Sequence, residues 1–299
     1  HGDDPRTFPW FQAPEAERLQ AGEDLLALLG ACTEPFAATT ALGTAMGKLP
    51  VHPRLARLLI EAERRGAREL GAALAAVISE RDIRFPRRPS DPPVDPGVAD
   101  AIDRLQALSD AERANFRPSL RSQGIDPIAA REVARVRDEL LRTPTVETDL
   151  SAVRDSSEAL VPRLLLAAYP DRVAKRASPT ANRAAMVGGV AIDIDAGCCV
   201  YARQGHPRHE LLVAVAVQGL ANRARTSTIV RQACEITEDD ISAVYPGAIA
   251  RRAILSYDHQ RQQVMQVSGW YYRDLAIRMA RDHSADAVAI ANCLAQALK

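Results

Sequence analysis

The stretch TALGTAMGKLPVHPRLARLL, residues 40–59, joins a pair of glycines to two prolines and an apolar run that carries arginines. A phosphate-binding P-loop would need four residues between its glycines and a hydroxyl side chain after the lysine. Here only three residues separate Gly43 from Gly47, and a leucine follows the lysine. The stretch therefore excludes a P-loop. It predicts a short helix capped by threonine 39 or 40, and a second helix beginning near Pro53.

Helical periodicity dominates the first part of the chain. Apolar residues recur every three or four positions, and Gly30 is placed to end the first helix. The proline-rich segment over residues 85–97 cannot be a helix or a central strand, so it predicts an extended surface connection. Helices are predicted over residues 15–30, 40–48, 54–65, 69–80, 98–116, 127–141 and 156–168.

The pattern changes after residue 185, where glycines and prolines separate several short β-like runs. The runs cover residues 186–194, 198–202, 211–218, 227–236 and 251–270. One helix interrupts them over residues 237–245, with Thr237 as N-cap and Asp240 at the third helical position. A last helix is predicted over residues 284–298. The sequence thus predicts an α+β protein whose C-terminal part is a small β-barrel, and an OB-like fold is the leading candidate.

The charge balance is neutral overall but uneven along the chain. Residues 51–90 carry nine arginines against five acids, whereas residues 91–150 carry eight against twelve. Residues 151–299 are again basic, with eighteen basic groups against fourteen acids. Arginine, which supplies nearly all the positive charge, suits bidentate contacts to phosphate. A GC-rich coding bias is the preferred explanation of this usage, so composition by itself gives weak support for a nucleic-acid partner.

The cysteines indicate a reducing compartment. There are five of them, none in a CxxC pair, and no signal peptide precedes them. We therefore expect a cytoplasmic protein. The adjacent pair Cys198–Cys199 is interpreted as strand residues that point to opposite faces, so no metal site is predicted there. No run reaches the ~18 apolar residues of a membrane span.

Three motifs resemble the C-terminal accessory region of bacterial HrpB-type ATP-dependent helicases of the DEAH/DExH group. They are LPVHPRLARLL at residues 49–59, ISERD at 78–82 and LLLAAYPDRVAKR at 164–176. Residues 16–48 are similar to the winged helix of that group. The resemblance is strong over about 15–82 and 164–176, weak over 90–150, and only architectural after 185.

The resemblance implies an order of domains. We expect a winged helix over residues 1–50, a ratchet-like helical bundle over 51–178, and an OB-like domain with a C-terminal helix over 179–299. In the family, ATP and Mg²⁺ are held by two RecA-like motor domains that precede the winged helix. The chain contains no Walker A, DExH or arginine-finger motif. We therefore expect no cofactor here and a chain that is part of a longer protein.

Single-strand binding needs positive charge for phosphates and flat groups for stacking. The strongest predicted cluster is formed by the arginines of the proline-rich loop, which projects outward. No catalytic residue and no metal ligand is predicted. The candidate nucleic-acid-binding residues are Arg54, Arg57, Arg84, Arg87, Arg88, Arg223, Arg225, Arg251, Arg252, Trp270 and Tyr272.

Several candidates also have a structural interpretation. Arg54 and Arg81 could brace the fold through Glu61, Glu80 or Asp82, and we prefer this interpretation for both. Asp171 and Arg172 are expected to tie the bundle together. Trp270 and one of the tyrosines beside it are expected in the core more than on a stacking surface.

Three functions are compared. The first is an accessory part of an ATP-dependent RNA helicase that binds single-stranded RNA, or DNA, and couples it to motor domains in the same polypeptide. The alternative is a protein-interaction module that docks on motor domains or another partner without touching nucleic acid. A free-standing enzyme is disfavoured, because no GxSxG, HExxH or cysteine–histidine set is present. We expect a monomer without a membrane partner.

Overall fold

The computed structural model describes residues 4–87, 94–143, 157–203, 205–222, 225–258 and 263–280. Its N-terminal part contains α1 (Ala16–Leu28) and α2 (Ala41–Met46). Thr40 caps α2, as predicted, and its hydroxyl accepts a 3.0 Å hydrogen bond from the amide of Gly43. A Cβ at Gly43 would lie 2.1 Å from the carbonyl oxygen of Ala31. This glycine therefore serves close packing between α2 and the turn after α1.

A helical bundle follows. Pro53 occupies the first turn of its first helix, as predicted, and Asp126 caps the helix that begins at residue 127 by accepting from the amide of Ile128 at 3.0 Å. Short 3-10 turns lie at Pro118–Gln123 and Pro170–Arg172. The helices are α3 (Pro53–Arg64), α4 (Arg68–Ser79), α5 (Asp100–Arg113), α6 (Pro127–Arg142) and α7 (Ser157–Ala168).

Five strands form a closed barrel. They are β1 (Val173–Arg176), β2 (Arg183–Met186), β3 (Val190–Ile194), β4 (Leu211–Asn222) and β5 (Arg225–Glu235). The strand order is β1-β2-β3-β5-β4, and β4 also pairs with β1. Strands β3 and β5 run parallel, and the other neighbours are antiparallel. Strand β1 begins on the N-terminal side of the predicted division at residue 178, which stays a prediction.

A second sheet follows the barrel. Helix α8 (Glu238–Val244) connects the two, and Thr237 with Asp240 forms the predicted capping box. The sheet consists of β6 (Ile249–Asp258), β7 (Gln263–Tyr272) and β8 (Leu275–Ala280), antiparallel and in that order. The helix predicted over residues 284–298 lies outside the described residues.

Three of the predicted β-like runs were wrong in detail. The run at 186–194 is a hairpin, because Gly188 and Gly189 both adopt positive φ and form the turn between β2 and β3. The run at 251–270 contains parts of two strands instead of one. Residues 198–200 form a bend and a turn, residues 201–202 are irregular, and the cysteine pair at 198 and 199 is buried there, not on a strand.

The largest core cluster extends across these elements. It contains Leu58 of α3 and Leu165 of α7, together with Val213 of the barrel, Ile241 of α8 and Tyr272 of the second sheet. Bundle, barrel and second sheet therefore share one apolar interior. None of the described helices is both long and apolar enough to cross a membrane.

Candidate nucleic-acid interface

The second sheet presents a row of basic and aromatic side chains. Arg251 of β6 pairs in register with Trp270 of β7, which pairs in turn with Arg278 of β8. Residues directly opposite on antiparallel strands share a face. The guanidinium carbon of Arg278 lies 5.5 Å from the centre of the Trp270 ring, within the range of a cation–π contact. Trp270 is 38% exposed, so its ring is partly open to solvent.

A β-bulge in β8 adjoins this row. Trp270 pairs with Arg278 and Tyr271 pairs with Ala276, so Ile277 is the extra residue of the bulge. Tyr271 and Tyr272 are both buried, and the Tyr272 hydroxyl donates to the carbonyl of Pro170 at 3.0 Å. Of the two aromatic candidates, Trp270 is therefore accessible, while Tyr272 lies in the core where a base does not reach it.

Arg278 is held by an acidic neighbour, which the sequence interpretation missed. Its guanidinium pairs with the carboxylate of Glu238, in the first turn of α8, at 2.9 Å.

A cleft of about 260 Å³ adjoins this pair and is also lined by Lys175 and His209. Lys175 Nζ donates to the carbonyl of Ile277 at 2.5 Å, which connects the barrel to β8. Arg278 lies beside Trp270 because the two residues are register partners on β7 and β8. The periodicity of the sequence does not reveal that register.

Arg54 is buried in the bundle. Its guanidinium donates to both carboxylate oxygens of Asp171, at 2.6 and 2.8 Å, and to the carbonyl of Ala168 at 3.0 Å. Burial opposes ionisation of Asp171, but the hydrogen bonds from Arg54 outweigh it, so the pKa of Asp171 is lowered. Bracing by Arg54 is therefore confirmed, although its partner differs from the three acids that we predicted. The pair joins α3 to the turn that precedes the barrel.

Arg57 is also enclosed. It donates to Glu61 at 2.8 Å, and the same carboxylate receives Arg65 at 2.7 Å. Burial opposes ionisation of Glu61, but the charges and hydrogen bonds of Arg57 and Arg65 lower its pKa. The structure therefore assigns Arg57 intramolecular contacts on α3.

The predicted arginine cluster of the proline-rich loop is only partly described. Arg84 donates to both carboxylate oxygens of Asp103, at 2.5 and 2.9 Å, and is half-buried. Arg87 is exposed, and Arg88 lies outside the described residues. Arg81, at the start of the same segment, pairs with Asp126 instead of the acids we predicted.

The remaining candidates lie on the β-rich half. Arg252 is exposed on β6 next to Arg251. Arg223 lies outside the described residues, and Arg225 belongs to β5, where its side chain is not described. The structure thus brings together Arg251 and Trp270, but it separates them from the arginines of the helical bundle.

A buried carboxylate joins the bundle to the barrel, and the sequence interpretation did not find it. Asp100, the first residue of α5, accepts hydrogen bonds from the amides of Cys199 and Ala233, both at 2.9 Å. Burial raises the pKa of Asp100, against the opposing effect of these two amides. No sequence signal indicates this role, because acids at a helix start are common on surfaces too.

Comparison with known proteins identifies a sequence relative of this chain and solved structures that share its fold. No family model matches the chain. A stretch of 88 residues is 38% identical to the ATP-dependent RNA helicase HrpA of Escherichia coli (strain K12), and it spans 28% of this chain and 7% of HrpA.

Solved structures match almost the whole chain. The crystal structure of the E. coli DExH-box NTPase HrpB has a TM-score of 0.64 at 20% identity, covering 98% of this chain and 31% of that one. A structure of the E. coli DEAH/RHA helicase HrpB has a TM-score of 0.63 at 21% identity, covering 99% and 31%. The chain therefore shares the fold of about a third of the HrpB helicase, which confirms the resemblance predicted from its motifs.

Proposed function

We propose that the chain is an accessory region of an ATP-dependent RNA helicase, which binds single-stranded nucleic acid and couples it to RecA-like motor domains in the same polypeptide. The observation that supports this most is the fold shared with HrpB over nearly all of the chain. The local identity to HrpA adds a sequence relationship. In this proposal ATP and Mg²⁺ bind the motor domains, and the protein is a cytoplasmic monomer.

The finer domain assignments belong to the same proposal. A five-stranded closed barrel with Greek-key connections is the architecture of OB-folds, which bind oligonucleotides. The strand order β1-β2-β3-β5-β4 supports an OB-like barrel, and α1 and α2 support a winged helix. The five bundle helices support a ratchet-like region between them.

The nucleic-acid surface is proposed for the exposed candidates. Arg87, Arg251, Arg252 and Trp270 are at least partly open to solvent. Arg54 and Arg57 instead serve the fold, because both side chains are buried and pair with Asp171 and Glu61, respectively. The positive charge available to phosphates is therefore smaller than the number of arginines suggests.

Two measurements on the 299-residue chain test the proposal. We expect no ATP hydrolysis, because the sequence has no Walker A motif. We expect weak binding of single-stranded RNA that falls with salt, with a slope of log K against log salt of about −2 for three phosphate contacts. ATP turnover by the pure chain would contradict the assignment of ATP to other domains, and salt-independent binding would contradict the phosphate contacts.

The alternative function, a protein-interaction module, is favoured by one observation. Phe8, Trp10 and Phe11 near the N-terminus are exposed, and exposed aromatic side chains are enriched at protein interfaces. Changing Phe8 and Phe11 to serine should abolish binding to RecA-like domains in a pull-down if this module is the main activity. Undiminished capture by this variant would contradict it.

A further inference from the structure

The Arg251–Trp270–Arg278 row has the composition of a base-stacking subsite. We propose that the indole of Trp270 stacks on one unpaired base of a single strand, while Arg251 and Arg278 contact the phosphates on either side. This inference rests on the proposed function, and it assigns the contact to the second sheet and not to the barrel or the proline-rich loop. It also adds Arg278, which sequence interpretation did not single out.

The sheet fixes the three side chains relative to one another. They occupy successive strands at one register position, so adjacent Cβ atoms lie about 4.5–5.5 Å apart. The row therefore spans roughly 10 Å between its two outer Cβ atoms, with the indole between the two arginines. Tyr271 and Tyr272, which follow Trp270 on β7, are both buried, whereas the indole of Trp270 is partly exposed.

Arg278 is oriented before any ligand arrives. Its guanidinium lies over one face of the indole, so the proposal assigns the base to the opposite face. The guanidinium is also held by Glu238 at 2.9 Å, while 59% of the Arg278 side chain stays exposed. A guanidinium fixed by one carboxylate still has donors for a phosphate, because it carries five N–H groups. Preorganisation lowers the ordering cost of binding.

The chemistry favours a single strand over a duplex or an acidic peptide. An indole face stacks on a base only when that base is free of its own stack. A duplex offers phosphates but no free base face, and an acidic peptide offers charge without a flat ring. The combination of two guanidiniums with one exposed indole is satisfied in full by an unpaired nucleotide.

Tryptophan fluorescence provides a direct test. The chain has two tryptophans, so Trp10→Phe leaves Trp270 as its only indole. This variant is titrated with an oligouridylate of roughly 12 nucleotides, and anisotropy of the same labelled strand gives the binding curve. We expect the indole emission to be quenched with the same midpoint as the anisotropy, and a duplex of equal length to leave it unchanged.

Each other outcome has a distinct meaning. Binding without quenching overturns the stacking subsite and leaves the proposed function standing. No binding at low salt overturns both. Equal quenching by the duplex overturns the assignment to unpaired bases.

Variants separate contact from folding. Trp270→Ala should weaken binding about five- to a hundredfold, whereas Trp270→Phe retains a stacking face and should weaken it only a few-fold. Arg278→Gln should reduce both affinity and the salt slope. Arg135→Gln, on the exposed face of α6, is the matched control with unchanged binding. Circular dichroism establishes that each variant is folded, and equal affinity of Trp270→Ala and the parent would overturn the proposal.

Discussion

Arg54 shows that a charged residue of a family motif can stabilise the fold instead of binding nucleic acid. It lies in the HPR segment that carries the family resemblance, and its charge fitted a phosphate contact. The side chain instead lies within 5.0 Å of the Tyr169 ring centre and makes a bidentate pair with Asp171. Removing the carboxylate is costly because it leaves the buried guanidinium of Arg54 without its charged partner, although Asp171 itself is only half-buried.

Removing one partner of this pair tests its structural role. Asp171→Asn should lower the free energy of unfolding by roughly 3 kcal/mol, because Arg54 would keep its charge without a carboxylate. Urea unfolding measures the change. The control Arg135→Ala removes an exposed pair on α6 and should have little effect. Equal stability of Asp171→Asn and the parent would show that water replaces the carboxylate at no cost.

The lowered pKa of Asp171 makes part of the stability depend on pH. Its ordinary value is 3.8, and the folded value is lower, so the unfolded chain binds a proton first as the pH falls. The stabilisation is fully present above that ordinary value and is lost as the pH falls through the folded pKa. The difference in unfolding free energy between the parent and Asp171→Asn should therefore stay constant from neutral to mildly acidic pH and shrink below about pH 4. A difference that grows on acidification would contradict this sign.

Among the secondary-structure elements, α2 packs closely against the turn after α1 because Gly43 has no Cβ. Gly43→Ala would place a Cβ 2.1 Å from the Ala31 carbonyl oxygen, and backbone must move to admit it. We expect a loss of about 1–3 kcal/mol in unfolding free energy. Gly22→Ala is the matched control, because a Cβ there meets nothing within 4 Å.

The control should change stability in the opposite direction. Gly22 lies inside α1, where alanine is favoured over glycine by roughly 0.5–1 kcal/mol. Thermal unfolding of both variants gives the comparison. If both raise the melting temperature, the close approach at Gly43 is relieved by motion of the turn.

Helices were predicted well because their signals are local. Thr40, Pro53 and the Thr237–Asp240 capping box act within one turn of the chain, and each takes its expected place. The hairpin after β2 was missed because apolar residues on both sides of Gly188–Gly189 suggested one continuous run. Residues 198–202 are largely apolar because they are buried, although they form no strand. A short apolar run of this kind looks the same in the sequence as a buried strand.

The candidate site was predictable only in part. Trp270 and Arg251 were named from their residue types, yet their adjacency depends on strand register. Arg278 and Asp100 were missed because their partners lie 40 and more positions away in sequence, at Glu238, Cys199 and Ala233. Such long-range partners leave no local pattern to interpret.

At the scale of the whole molecule, bundle and barrel share a core and one buried carboxylate. Asp100→Ala would leave the amides of Cys199 and Ala233 without their acceptor, and each such loss costs about 1–3 kcal/mol. We expect a lower unfolding midpoint. Far-UV circular dichroism and tryptophan fluorescence should still give coincident transitions, because the shared core remains.

Asp110→Ala on the same helix is the control, since Asp110 pairs only with an exposed arginine three residues away among its described ion pairs. It should leave the midpoint nearly unchanged. Separated transitions for Asp100→Ala would instead show that this carboxylate, and not the common core, couples the two parts.

The position of β1 before the predicted division at residue 178 limits how the molecule can be dissected. A fragment made of residues 179–299 alone would lack Val173–Arg176, the strand that closes the barrel between β2 and β4. Both neighbours would then present bare peptide groups, which invite pairing with another polypeptide and aggregation. A truncated fragment that keeps the closed barrel has to start before Val173. Without α7, the apolar barrel residues that pack against that helix would be exposed to water.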